Sequence, residues 1–182
     1  ALRVTSSGAT VTSTFFDIIE QNIAPVATST SESMDEDTVK TFTLSATDQN
    51  NDNLTYSIVG SPSNGSITNL SGNQVTYEPN DNFNGTDSFS WKANDGLLDS
   101  NTATVTITIN NANDAPIAQN INTQTQKNTT KTITLVATDA DDDNLSYEVV
   151  SNPSNGSLGS ISGANIDYTP TTTDFIGTDT FT

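Results

Sequence analysis

The chain has 182 residues, contains neither cysteine nor histidine, and carries 22 acidic against 5 basic residues, a formal net charge of −17 at pH 7. Without these two residue types there are no disulfides, no thiol chemistry and no histidine base, which argues against hydrolytic triads and zinc sites. The negative charge disfavours nucleic acids and anionic membranes as partners and favours cations.

The hydrophobic residues favour a folded protein. They make up 32% of the chain, and valine, isoleucine, phenylalanine and tyrosine alternate with polar residues, whereas a disordered acidic chain is poor in these types. No apolar run approaches the roughly 18 residues of a membrane-spanning helix, so no membrane insertion is predicted for this segment.

Residues 1–23 form a leader that lies outside the internal repeat. Within it, residues 9–12 read Ala-Thr-Val-Thr, as do residues 103–106, and each run is followed by an apolar stretch and then by Ala-Pro. The leader is therefore predicted to be the closing strand of a preceding repeat or a donor strand.

Two copies of one sequence pattern follow, at an offset of 91 residues. The matched blocks are residues 41–44 with 132–135, 46–48 with 137–139, 53–56 with 144–147, 62–66 with 153–157 and, after a one-residue insertion, 83–89 with 175–181. This match predicts one complete repeat over residues 24–112 and a second repeat over residues 113–182 that lacks its last strands.

Apolar and polar residues alternate within each copy, as in strands with one buried face. The clearest runs are residues 39–44, 73–77 and 102–109. Asn64-Gly65 and Asn155-Gly156 supply the positive φ of tight turns, and no segment has a helical period. The predicted fold is all-β: tandem antiparallel β-sandwiches of cadherin or immunoglobulin type, with about seven strands per unit.

Eight blocks of the chain carry a family resemblance. They are residues 24–27, 35–38, 46–48, 53–59, 77–79, 83–89, 93–96 and 113–116. Together they resemble the cadherin-like and immunoglobulin-like tandem repeats of large bacterial and archaeal surface proteins. The resemblance implies an extracellular, cell-surface module used in adhesins, matrix proteins and filaments, often stiffened by calcium at the joints between repeats.

Acidic runs fall between two strands at matching places in the two copies. The alternating residues are Asp48, Asn50 and Asp52 in the first copy and Asp139, Asp141 and Asp143 in the second. Alternate carboxylates converge on one cation when the backbone loops, and hard oxygen ligands select Ca²⁺. The other interpretation is a set of solvated turn residues, because Asp and Asn stabilise turns without a metal.

The resemblance adds further calcium ligands to these runs. In the cadherin-like arrangement a joint also takes Glu36 from the preceding unit, Asn113 and Asp114 from the linker, and Asp95 from the last hairpin of the following unit. The chain departs from this pattern twice: residues 126–129 lack the acids found in the first copy, and residues 21–24 lack the acid found at Asp114.

An enzymatic function is not predicted, because serine has no histidine partner and the acidic residues sit on turns. The structural interpretation, spacer or stalk repeats of a surface protein or filament, is placed first. A glycan-binding adhesin module is the alternative, and it requires surplus exposed aromatic residues. Trp91 alternates with Phe89 along one strand and is predicted to lie in the core, with sugar stacking as the alternative role. Phe15-Phe16 lies in the leader, outside the internal repeat, and has no counterpart in either copy.

The predicted partners are neighbouring repeats or subunits, besides glycans in the adhesin alternative. Two explanations account for the strands that the second repeat lacks. Either the window was excised from a longer polypeptide, or separate subunits join head to tail, with the leader strand of one completing the open sandwich of the next.

Overall fold

A computed structural model describes residues 21–182. The chain divides into two compact units, unit 1 ending at Asn110 and unit 2 spanning Asn111–Thr182. All regular elements in the described range are strands, which confirms the all-β prediction. The predicted leader strand within residues 1–23 falls, except for its last three residues, outside the described residues.

Within residues 21–110, unit 1 contains nine strands. They are β1 (Val26–Thr28), β2 (Thr30–Asp35), β3 (Lys40–Thr43), β4 (Ser45–Thr47), β5 (Thr55–Gly60), β6 (Gly65–Ser71), β7 (Gln74–Pro79), β8 (Gly85–Asn94) and β9 (Ala103–Asn110). A four-stranded sheet has the order β2-β9-β8-β5, a three-stranded sheet has the order β3-β7-β6, and β1 pairs with β4. The strand runs of unit 1 thus form the two layers of a sandwich.

One strand pair in unit 1 departs from the antiparallel pattern, because β2 runs parallel to β9 from Thr30 opposite Val105 to Asp35 opposite Asn110. β1 pairs with β4, so the chain changes sheets at Ser29, the single residue between β1 and β2. The Ser29 hydroxyl accepts the backbone N–H of Thr104 at 3.0 Å, which fixes this switch against β9.

The core of unit 1 is built by alternate residues of the long strands β7, β8 and β9. The largest fully buried side chains there are Trp91, Tyr77, Phe89, Leu44, Ile107, Val75 and Val105. The Trp91 ring lies 5.8 Å from the ring of Tyr56, centroid to centroid. Because Trp91 is 0% exposed, the predicted core role is confirmed, and the side chain is not available to stack on a sugar.

Unit 2 contains five strands. They are β10 (Ile117–Ala118), β11 (Lys131–Thr134), β12 (Ala137–Thr138), β13 (Gly156–Leu158) and β14 (Asn165–Pro170). The order β11-β14-β13 reproduces the β3-β7-β6 sheet, and β10 pairs with β12 as β1 pairs with β4. The repeat equivalents of β2, β5 and β8 form no strand in this unit, and Ile166 is its one large fully buried side chain.

Candidate functional site

The acidic run of unit 1 forms a closed turn between β4 and β5. Asp48 Oδ1 accepts the backbone N–H groups of Asn50 at 2.9 Å and Asp52 at 3.1 Å, and Asn51 between them has φ 62°. The other carboxylate oxygen, Asp48 Oδ2, is buried and has no hydrogen-bond partner among the described residues. A buried carboxylate oxygen without a partner is costly, and a cation would supply the missing interaction.

Two of the predicted ligand residues, Asn50 and Asp95, accept hydrogen bonds from the segment that leads into β1. Asn50 Oδ1 accepts the backbone N–H of Ile23 at 2.8 Å, and Asn22 Nδ2 donates to Asp95 Oδ2 at 2.9 Å. Asp95 Oδ1 also accepts the N–H groups of Leu98 and Leu97, and these hydrogen bonds, with the one from Asn22, lower the pKa of Asp95. The acidic loop and the β8–β9 hairpin therefore meet around residues 22 and 23.

The acidic run of unit 2 repeats this geometry. Asp139 Oδ1 accepts the N–H groups of Asp141 at 3.0 Å and Asp143 at 3.3 Å. Asp141 Oδ2 accepts the N–H of Asp114 at 2.6 Å, and its Oδ1 accepts the Asn111 amide at 2.8 Å. Asp114 and Asp141 are the repeat equivalents of Ile23 and Asn50, so the middle residue of each run binds the same backbone position of the preceding segment.

The remaining predicted ligands lie apart from these loops or point elsewhere. Glu36 is 2% exposed and follows β2, and its backbone N–H bonds the carbonyl of Asn110 at the far end of β9 from the β8–β9 hairpin. Asn113 donates its side-chain amide to the carbonyl of Asp114 at 2.9 Å. No group of three or more acidic side chains within residues 21–182 is placed to hold a metal ion, so the calcium assignment stays a prediction.

A second polar site, which the sequence did not single out, is built around Asp87. Its side chain is 95% buried, Oδ2 accepts the Tyr77 hydroxyl and the Asn64 N–H, both at 2.9 Å, and Oδ1 accepts the N–H groups of Ser63 and Ser88. Burial acts to raise the pKa of Asp87, but these hydrogen bonds outweigh it and lower the pKa. Burial, and then the bond to Asp87, raise the pKa of Tyr77.

The same arrangement recurs in unit 2. Asp179 accepts the Tyr168 hydroxyl and the Asn155 N–H, both at 2.9 Å. We call the pairs Tyr77–Asp87 and Tyr168–Asp179 the Asp–Tyr latches. Each latch holds an Asn-Gly turn whose glycine lies against the tyrosine ring, where a Cβ would collide. In the sequence, the latches are indicated only by two blocks that both repeats share, Pro-Ser-Asn-Gly and Gly-Thr-Asp.

Comparison with known families decides the classification. The family described as Bacterial Ig domain matches residues 22–108 and 113–182. The chain belongs to this family. The match confirms the predicted cadherin- and immunoglobulin-like repeats, and it covers both units.

The chain is similar to a curated relative and to solved cadherin structures. Integrin beta-like protein B of Dictyostelium discoideum is 33% identical over 153 residues, which are 75% of this chain and 8% of the relative. Human protocadherin-24 EC1-2 aligns with a TM-score of 0.47 at 18% identity over 84% of this chain and 80% of its own. Drosophila N-cadherin EC1-4 aligns with a TM-score of 0.49 at 15% identity over 84% and 42%.

The chain thus spans less than a tenth of the curated relative's length. In the part of the chain that the structure describes, no helix has the length and apolar character needed to cross a membrane.

Proposed function

We propose that the two units are structural spacer repeats of an extracellular cell-surface protein or filament. The observation that carries this proposal is the parallel pairing of β2 and β9 in unit 1. β2 lies near the start of the unit and β9 ends it, and six residue pairs join them. Tension applied through the two ends of the unit pulls parallel neighbours in opposite directions, so it loads all these hydrogen bonds together in shear rather than one after another.

Single-molecule pulling of the 182-residue chain from its two ends tests the proposal. We expect unit 1 to unfold in one event, and Glu32→Pro in β2 to lower the unfolding force because proline removes a ladder donor. The Glu36 N–H bonds Asn110 of β9, and the N–H groups at every second residue before it face β9 as well. Ser57→Pro in β5 is the matched control, since β5 is an edge strand outside the β2–β9 ladder. An unfolding force that responds equally to both substitutions would contradict the spacer function.

The proposal includes calcium bound by the acidic loops. In unit 1 the loop residues Asp48, Asn50 and Asp52 and the hairpin residue Asp95 would supply oxygen ligands around the segment before β1, and in unit 2 Asp139, Asp141 and Asp143 would do so with Asn113 and Asp114. Glu36 belongs to the proposal as a ligand at the other end of unit 1. The unpartnered buried Asp48 Oδ2 supports this assignment, and calcium would neutralise the carboxylates and stiffen the preceding segments.

Calorimetry with calcium, with magnesium and with chelator tests the metal assignment. At a hundredfold excess over its Kd, calcium stabilises the folded state by about 2.7 kcal/mol, so the Tm rises. Asp48→Asn should remove the rise of the unit 1 transition, and Asp139→Asn should remove that of unit 2. Asp142→Asn is the matched control because Asp142 lies within the acidic run of unit 2 but outside the alternating set. A Tm that is identical with calcium and with chelator would rule out the calcium site.

The glycan-binding alternative finds less support. Trp91, Tyr77 and Phe89 are at most 2% exposed, so these aromatic rings cannot stack on a sugar. Phe15-Phe16 lies outside the described residues. A glycan array separates the two functions, because a spacer gives no selective signal and an adhesin module does.

The cellular setting is part of the same proposal. The Dictyostelium relative is named an integrin beta-like protein, and the chain belongs to an immunoglobulin-type family, which supports an adhesion-related place outside the cell. The proposed partners are neighbouring repeats or subunits, and no catalytic role is proposed.

A further inference from the structure

Charged side chains close one lateral side of the unit 1 sandwich. On this side the edge strands of the two sheets are β2 and β3. The Lys40 ammonium on β3 donates to the carbonyl of Ser33 at 2.6 Å and lies 3.6 Å from the Glu32 carboxylate, and both partners belong to β2. Charged side chains on an edge strand oppose its pairing with another strand, so this side is protected from association.

The opposite side, where β5 and β6 are the edge strands, has no such protection on β5. Neither strand contains a charged residue or a proline, although the chain has 22 acidic and 5 basic residues. A bulge interrupts β6 in its middle, between Ile67 and Asn69, whereas the irregularity of β5 lies at its end, between Ile58 and Gly60. Because a bulge in mid-strand hinders edge pairing, β5 offers the regular edge of the two.

Apolar side chains are incompletely covered along β5. Tyr56 and Ile58 pack against the core from this strand, and they are only half-buried. Core residues on the inner strands of the same sheet, among them Phe89 and Ile107, are at most 2% exposed. Val59, near the end of β5, is 51% exposed. A further strand beside β5 would remove this apolar surface from water.

The backbone of β5 directs hydrogen-bonding groups away from its sheet. In the described part of the chain, β8 is the one strand that pairs with β5. Ala93 of β8 turns its groups to the other side, because its N–H donates to Ser100 Oγ at 2.9 Å and its carbonyl accepts the Ser100 N–H at 2.8 Å. Ala93 faces Tyr56 in the antiparallel register. The N–H and carbonyl of Tyr56, and of Ile58 two residues on, therefore point to the outer edge.

We propose that β5 pairs antiparallel with β5 of a second copy of this chain, around a two-fold axis that passes through Ser57. In this register Tyr56 of one copy faces Ile58 of the other, so the outer backbone groups are matched and the apolar side chains of the two copies meet. The four-stranded sheet of unit 1 then continues into that of the second copy. The contact closes at a dimer, because it uses the same edge of both copies.

The charge of the chain favours a second copy as the occupant of this edge. Two chains that each carry a net charge of −17 repel one another over most of their surface, and contact costs least where both are uncharged. The second repeat has Glu148 at the position equivalent to Ser57, and the same pairing there would place two carboxylates face to face. The association is therefore specific to unit 1.

Sedimentation equilibrium of the full chain over a range of concentrations is the first test. We expect a monomer–dimer equilibrium that shifts toward the dimer when salt screens the net charge. Ser57→Glu should weaken the dimer about tenfold or more, because it opposes two carboxylates across the two-fold axis. Ser31→Glu is the matched control, since it adds the same charge at an exposed position of β2, on the protected side, and it should leave dimerisation nearly unchanged.

Introduced cysteines test the register, and the chain has no cysteine of its own to interfere. Residue 57 of one copy faces residue 57 of the other at the two-fold axis, so Ser57→Cys should readily form an intermolecular disulfide. Thr55 is also exposed, but in this register it lies opposite Val59 of the other copy. Thr55→Cys should therefore form little disulfide.

A chain that stays monomeric at all protein and salt concentrations would overturn the proposal. So would a dimer that Ser57→Glu leaves intact, a dimer that both glutamate variants weaken equally, or disulfides that form equally from both cysteine variants. None of these outcomes affects the spacer function, because the pulling experiment depends only on the β2–β9 ladder of unit 1.

Discussion

Unit 1 and unit 2 share one sequence pattern but not one structure, and β9 accounts for the difference. The three-stranded sheet is the same in both: Lys40 faces Tyr77 in unit 1, and Lys131 faces Tyr168 in unit 2. The four-stranded sheet exists only in unit 1, where β9 lies between β2 and β8. The two layers of the sandwich therefore differ, because the three-stranded sheet forms in both units and the four-stranded sheet forms only where its central strand β9 is present.

The Asp–Tyr latches form in both units, and in unit 1 the latch joins the two layers, because Tyr77 stands on β7 and Asp87 on β8. Tyr77 and Tyr168 stand on β7 and β14, and each hydroxyl reaches its aspartate at 2.9 Å. Asp87 also accepts two backbone N–H groups from the turn before β6, and Asp179 accepts two from the turn before β13. The latch is thus independent of β9, and the comparison predicts that it outlasts the loss of β9.

The comparison can be broken by disrupting β9 in unit 1. Ile107→Asp places an unpaired charge in the middle of β9 and should cost more than about 4 kcal/mol. Hydrogen exchange should then show β2, β5 and β8 unprotected while β3 and β7 keep protection. Thr108→Asp on the exposed face of β9 is the control. Simultaneous loss of protection in both sheets would show that the layers are not separable.

Truncation of the core tryptophan tests how strongly the β9-dependent layer is packed. Trp91→Ala should destabilise unit 1 by about 3–5 kcal/mol through the cavity it leaves. Trp91→Phe should cost much less, because Trp91 Nε1 is buried without a partner among the described residues and removing it relieves an unpaired donor. Urea unfolding measures both values, and equal costs would contradict the unpaired-donor argument.

Substitutions of the glycines in the two latches compare the three-stranded sheet of unit 1 with that of unit 2. Gly65→Ala should cost about 1–3 kcal/mol because the new Cβ meets the Tyr77 ring. Gly156→Ala should cost less, since Tyr168 is half-exposed and can move. Gly159→Ala, whose Cβ makes ordinary contact with Asp167, is the control. Urea unfolding followed by residue-resolved NMR measures the unfolding free energy of each unit separately. An equal cost of Gly65→Ala and Gly156→Ala would contradict the argument that Tyr168 can move.

The latch also makes unit 1 sensitive to acid. The pKa of Asp87 is lowered on folding, so its contribution is present above the unfolded-state value of about 3.9 and is lost as the pH falls through the folded-state pKa. Asp87→Asn should flatten the decline in unfolding free energy below pH 4, relative to the wild type. Tyr77→Phe should cost about 1.5–3 kcal/mol at neutral pH by removing one hydrogen bond to the charged carboxylate. An equal decline of the unfolding free energy below pH 4 in the wild type and in Asp87→Asn would disprove this role of Asp87.

The alternation of residues predicted β3, β7 and β9 and the burial of Trp91, because a period of two is a local property. The parallel strand β2 was not predicted, since it reads Thr-Ser-Glu-Ser-Met-Asp and buries only Met34. Its partner lies about 75 residues away and decides its structure. Asp87 was missed for the same reason: one acid among 22 acquires its role only through backbone donors at positions 63 and 64.

The Asp–Tyr latch of unit 1 affects the deamidation of its Asn-Gly turn. An Asn-Gly peptide deamidates when the glycine nitrogen turns back onto the asparagine side chain and closes a five-membered imide, which requires a mobile backbone. In unit 1, Asp87 holds the Asn64 N–H, the Asn64 carbonyl accepts the N–H of Asn80 at 2.8 Å, and Gly65 is already paired in β6. The ring closure is therefore opposed at this turn, and Asn64 is expected to stay chemically intact for longer than an asparagine before glycine in a mobile loop.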